Sequence, residues 1–82
     1  MTTPDQIYAM IHSSLVELFQ LDPVRITPEA RLADDLEIDS IDAVDLVDHM
    51  KRITGRKISA EAFRSVRTVG DLVRATERVL NG

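Results

Sequence analysis

Glu37-Ile38-Asp39-Ser40-Ile41-Asp42-Ala43-Val44-Asp45-Leu46-Val47-Asp48 decides how this chain folds and what it can do. From Asp34 to Asp48 there are seven acids and no base. Ile41, Val44 and Val47 recur between the acids at steps of three, so one helix can bury one stripe and show carboxylates on another. Asp39 or Ser40 caps that helix, and Gly55 offers a left-handed stop after about Thr54. Ser40 is then a lone hydroxyl where an acidic loop turns into a helix. With no base beside it in sequence, it suits a point of attachment better than a catalytic nucleophile.

The flanking segments also read as helices. Thr3-Pro4-Asp5-Gln6 is a helix start: Thr3 caps, Pro4 fits the first helical position and Gln6 completes a capping box. Ile7, Met10, Ile11, Leu15, Leu18 and Phe19 follow at helical spacing, giving an amphipathic helix over about 4–20. Leu21 to Ile38 is a long connection broken by Pro23 and Pro28. Its apolar residues Val24, Ile26, Leu32, Leu36 and Ile38 predict that it packs along the core, with a short helical turn near Pro28–Leu32. Ser59 caps a short third helix through Phe63. Thr68, with Asp71 three residues on, caps a last helix through Leu80. No run alternates with period two, so no strand is expected. The expectation is an all-α, four-helix bundle with a long first loop and a short third helix, a single domain over residues 1–82.

Composition excludes several function classes. The chain has no cysteine, hence no disulfide and no thiolate metal site. His12 and His49 form no HExxH-type pair, so no metal is expected. Residues 1–6 lack the basic start and apolar run of a secretory signal, and nothing approaches the roughly 20 apolar residues that span a bilayer. A cytoplasmic location without membrane insertion is the expectation. The net charge of −4 is unevenly spread. Residues 1–50 hold eleven acids against Arg25 and Arg31, whereas residues 51–82 hold eight bases against three acids. An acidic face predicts basic protein partners. Nucleic acid is not expected, because Tyr8, Phe19 and Phe63 are the only aromatics available for stacking on bases.

Ser40 fails as a catalyst on simple grounds. There is no Gly-x-Ser-x-Gly elbow, and His49 lies nine residues along the same helix, about 13 Å away. A calcium loop over Asp35–Leu46 fails too. Its sixth position is Ser40 where glycine is needed, and its twelfth is Leu46 where a bidentate Glu is needed. Two readings of Ser40 remain. In one it is only a helix cap. In the other it belongs to a docking surface, because apolar Ile41 at an exposed helix start, ringed by carboxylates, has the form of an anchor with a charged rim.

Glu37-Ile38-Asp39-Ser40-Ile41-Asp42, followed by Val44-Asp45-Leu46-Val47, resembles the attachment motif of acyl carrier proteins. That family places Asp-Ser-Leu at the start of the second helix of a four-helix bundle of about this length. The resemblance implies a non-enzymatic, type II carrier. Ser40 would receive 4′-phosphopantetheine from coenzyme A, added by a separate phosphopantetheinyl transferase that recognises Asp39. The phosphodiester would lie at a helix N-terminus, where backbone N–H groups and the dipole favour an anion. The arm's thiol would hold acyl intermediates as thioesters for fatty-acid or polyketide-type lipid biosynthesis.

The resemblance also assigns a partner surface. Ile41 would be the apolar anchor and Asp42 and Asp45 the rim acids, with Asp48, Lys51 and Arg52 continuing the face. Its partners would be acyl synthases, ketosynthases, reductases and transferases with basic docking patches, met by a monomer. Val44, Val47, Met50, Ile58, Ala62 and Phe63 would line the space for an acyl chain. The acidic run of common fatty-acid carriers breaks here into Lys51-Arg52 and then Arg56-Lys57, which implies a dedicated pathway. The turn at 54–58 and the segment 63–69 are similar to carriers of specialised bacterial pathways such as those for aryl-polyene or polyketide-like lipids. A peptidyl or aminoacyl carrier, and a helical protein–protein adaptor with Ser40 only a cap, are the alternatives.

Overall fold

A computed structural model describes residues 3–58 and 63–81. Helix α1, Pro4–Phe19, opens on the expected capping box. The Gln6 backbone N–H donates to Thr3 Oγ1 (3.2 Å), and the Thr3 N–H donates to Gln6 Oε1 (3.1 Å). It ends where Gln20 turns left-handed, at φ 53°. Ile7, Ile11 and Leu15 are fully buried along one face, as their spacing requires. Helix α2, Ser40–Thr54, has Asp39 as its N-cap and Gly55 as its stop. Gly55 adopts φ +73°, which only glycine takes without steric cost. Helix α3, Val69–Asn81, is the last helix and buries Val69, Leu72, Val73 and Thr76. Its start is a reciprocal cap: the Asp71 N–H donates to Thr68 Oγ1, and the Thr68 N–H donates to Asp71 Oδ2.

Three α-helices and no strand are present among the described residues. The short helix expected from Ser59 through Phe63 lies outside the described residues up to residue 62, and Phe63 and Arg64 are helical. Helix α1 packs against both α2 and α3. The buried side chains of all three helices, of Ile58 and of the long connection join in one hydrophobic cluster.

The connection between α1 and α2 is tied down rather than loose. Ile26, Leu32, Leu36 and Ile38 are buried as expected, with Ala30 beside them, whereas Val24, expected to join them, is 85% exposed on the 3₁₀ turn. The Leu32 N–H donates to the Arg67 carbonyl (2.9 Å), Val69 to Ala30 (3.0 Å) and Gly70 to Pro28 (2.8 Å). These bonds, with an isolated antiparallel bridge between Arg31 and Thr68, dock the connection against the start of α3. A Cβ on Gly70 would come within 3.1 Å of the Pro28 carbonyl oxygen, so this close approach favours glycine. The helical turn lies earlier than expected. It is a 3₁₀ turn at Pro23–Arg25, capped by Asp22 through the Val24 N–H. Near Pro28 there is only the tight turn from Thr27 to Ala30.

Candidate functional site

Ser40 is the first residue of α2, and it is exposed. Its position follows from local chemistry. Asp39 Oδ1 accepts both the Ile41 N–H (3.0 Å) and the Asp42 N–H (2.9 Å), which fixes the first turn. Just upstream, the Ile38 N–H donates to the Leu32 carbonyl (2.8 Å), and the Ile38 side chain is buried. The helix start is therefore anchored on one side by core packing and on the other by its cap. This cap corrects one expectation. Two of the backbone donors expected to face an anion at this helix start are already taken by Asp39, so its dipole remains available but those two N–H groups do not.

Two grooves meet at Ser40. The first, about 450 Å³, is floored by Leu32, Ile38, Ala43, Phe63 and Val66 and carries Arg31 and Arg67 at its edge. The second runs along α2 over Val44, Val47, Ile58 and Phe63, with Asp48, Lys51, Lys57 and Arg64 around it. Four of the six residues expected to line an acyl space are thus together in the second groove. Met50 is not among them. It is fully buried, because its place on α2 turns it toward the core beside Leu46. Ala62 lies outside the described residues. The first groove was not legible beforehand, since it takes the Leu32–Arg67 hydrogen bond and the Arg31–Thr68 bridge to bring Arg31 and Arg67 together across 36 positions. The one local signal was the Thr68–Asp71 cap, which fixes the residue just before it.

Ile41 stands on the outside of α2, 73% exposed. Val44, read from its spacing as part of a buried stripe, is 67% exposed. Asp45, Asp48, Lys51 and Arg52 are exposed, and Asp42 is half-buried. Arg52 pairs with Asp48 at 3.2 Å. Among the described residues neither Asp45 nor Lys51 has an ion-pair partner. Asp71 has its carboxyl held below the ordinary value of 3.8, first by the Arg67 N–H and then by the Thr68 N–H, against an opposing effect of desolvation, with Arg74 adding the least. It serves the α3 cap and not the Ser40 site.

Among the described residues, neither histidine is placed to activate Ser40. His12 Nε2 donates to the Pro23 carbonyl (3.0 Å). His49, nine residues on, lies half a turn around the helix from Ser40, and its Nε2 is buried without a hydrogen-bond partner among the described residues. No cluster of three or more metal-ligating side chains occurs among the described residues.

Comparison with known proteins decides what this arrangement is. A family profile described as phosphopantetheine attachment site matches residues 10–76. The chain is 49% identical to acyl carrier protein 2 of Ralstonia nicotianae, over 95% of this chain and 96% of that protein. The chain belongs to the acyl carrier protein family. It is also 35% identical to the acyl carrier protein of Thermotoga maritima, over 98% of this chain and 99% of that one. The meromycolate extension acyl carrier protein of Mycobacterium tuberculosis is 38% identical over 87% of this chain and 62% of its own length.

Membership sets aside the plain adaptor. The chain is a carrier of acyl intermediates in lipid biosynthesis and not an enzyme, and its prosthetic group is 4′-phosphopantetheine. When bound, that group supplies a terminal thiol that this cysteine-free chain lacks. The local structure suits such a group: an exposed hydroxyl, held at a rigid helix start, has an open groove on either side. An acyl carrier protein works through a phosphopantetheinyl transferase and biosynthetic enzymes. No helix among the described residues is long and apolar enough to cross a membrane.

Proposed function

We propose that Ser40 Oγ is the attachment point of the phosphopantetheine arm. The observation that carries this reading is an exposed hydroxyl on the first residue of α2, at the junction of two grooves. In the transfer, Ser40 Oγ forms a bond to the β-phosphorus of coenzyme A. The bond from that phosphorus to the bridging oxygen breaks, and adenosine 3′,5′-bisphosphate leaves with the electron pair. The hydroxyl proton goes to a base of the transferase, since this chain offers none at Ser40.

Asp39 holds the serine in place through its two backbone contacts and meets the transferase. Ile41 is the apolar anchor of the docking face, with Asp42, Asp45 and Asp48 as its acids and Lys51 and Arg52 at its far end. Exposed pairs of this kind are worth about 0.2–1 kcal/mol each, so they supply steering and register more than affinity. The groove over Val44, Val47, Ile58 and Phe63 holds the acyl chain, and the carrier is a four-helix bundle. Residues 1–82 act as a single, monomeric, cytoplasmic domain of type II organisation. Its partners are synthases, ketosynthases, reductases and transferases of a dedicated lipid pathway.

The test is intact mass after incubation of the apo chain with coenzyme A and a broad-specificity transferase. A gain of one phosphopantetheine that is lost in Ser40→Ala is expected. A gain that persists in Ser40→Ala contradicts the assignment.

A further inference from the structure

The outward face of α2 has an order that the acidic-face reading does not explain. Apart from Ser40 and Ile53, the exposed residues of the helix are Ile41, Val44, Asp45, Asp48, Lys51 and Arg52. At about 100° per residue, these six fall within a stripe about 120° wide. Along its axis the stripe reads apolar, then acidic, then basic, over about 17 Å from Ile41 to Arg52. Its formal charge is zero, although the chain as a whole carries −4. Arg52 also clasps Asp48 at 3.2 Å, so among the described residues Asp45 is the carboxylate of the stripe without an ion-pair partner, and Lys51 the ammonium without one.

The helix dipole does not account for this placement. Cations in the last turn are favoured at any angle around the helix. Here the other two positions of that turn hold Ile53 and Thr54, and both cations stand on the docking stripe. Positive charge then continues beyond the helix through Arg56 and Lys57, both exposed.

From this order we infer that α2 is read by a protein partner with a mixed-sign docking patch. That patch holds an apolar socket for Ile41 and Val44, a base opposite Asp45, and an acid opposite Lys51 and Arg52. The same stripe rejects partners whose docking patch is basic throughout, because Lys51 repels its far edge and Arg52 neutralises Asp48. The inference rests on the Ser40 reading, since it takes α2 as the face that partners approach.

The test uses the apo chain, coenzyme A and a broad-specificity phosphopantetheinyl transferase with a uniformly basic docking patch. Modification rates are followed by intact mass at low and high salt for the natural chain and for the double variant Lys51→Glu/Arg52→Glu. Circular dichroism confirms equal helicity. The variant is expected to be modified about tenfold faster at low salt, with the gap closing at high salt. The same transferase with two acids placed at the far edge of its patch is expected to prefer the natural chain. Added mass at equal rates and equal salt slopes for both forms overturns this inference alone. No added mass on either form overturns the Ser40 reading and this one with it.

Discussion

Helices α1 and α2 are almost equal in length, 16 and 15 residues, yet they are held in opposite ways. Helix α1 is held by its face: Ile7, Ile11, Ser14 and Leu15 are buried, and α1 touches both other helices. Helix α2 buries only Leu46 and Met50 and leaves Ile41 and Val44 in solvent. What α2 lacks in packing is offset at its ends, by the two-donor cap of Asp39 and the left-handed Gly55. A helix secured at its termini with few buried side chains can leave even large apolar residues in an outward stripe free for partners.

Substitutions that touch one mode and not the other sharpen this contrast. The largest effect is expected in α1, where Leu15→Ala should cost about 2–5 kcal/mol in urea unfolding. In a chain this small that is a large part of the total stability. At the end of α2, Gly55→Ala should cost about 1–2 kcal/mol by the same measurement. Nothing lies within 4 Å of the added Cβ, so the whole cost comes from the positive φ. Asp39→Ala should cost about 1 kcal/mol, as loss of an N-cap does, and should lower the helicity of α2 in particular.

The boundaries of all three helices were legible because caps are local. Thr3 with Gln6, Asp39, Gly55, and Thr68 with Asp71 each act within a few residues of themselves. The candidate site was legible for the same reason, since Ser40 needs only the cap beside it and the spacing of Ile41 and Val44. The long connection was not. Its 3₁₀ turn follows Asp22 and Pro23, while the turn at Pro28 is shaped by hydrogen bonds to Val69 and Gly70, some 40 positions away. The groove edge formed by Arg31 and Arg67 depends on that same long-range docking. Met50, a candidate for the acyl space, is fully buried beside Leu46, apart from the groove over Val44 and Val47.

Two smaller effects complete the series. The folded Asp71 carboxyl titrates below its ordinary value of 3.8, so its contribution is present above that value. That contribution is lost as pH falls through the folded value. Acid unfolding followed by circular dichroism should therefore be less steep in Asp71→Asn, which no longer has this carboxylate to protonate, and its stability near pH 7 should be lower. The smallest effect on stability is expected for Ile41→Ala, within about 0.5 kcal/mol, because the side chain already stands in water. Its rate of modification should nevertheless fall. A stability loss comparable to Leu15→Ala would mean that Ile41 belongs to the core, and the contrast between the helices would fail.

The most direct measurement is a backbone amide map of the chain before and after the arm is added. Changes are expected to centre on Ser40 and spread into the two grooves through Ile38, Ala43, Val44 and Phe63, while Ile7, Ile11 and Leu15 of α1 stay in place. Changes that centre on α1, or an arm whose addition leaves the start of α2 untouched, would contradict the assignment.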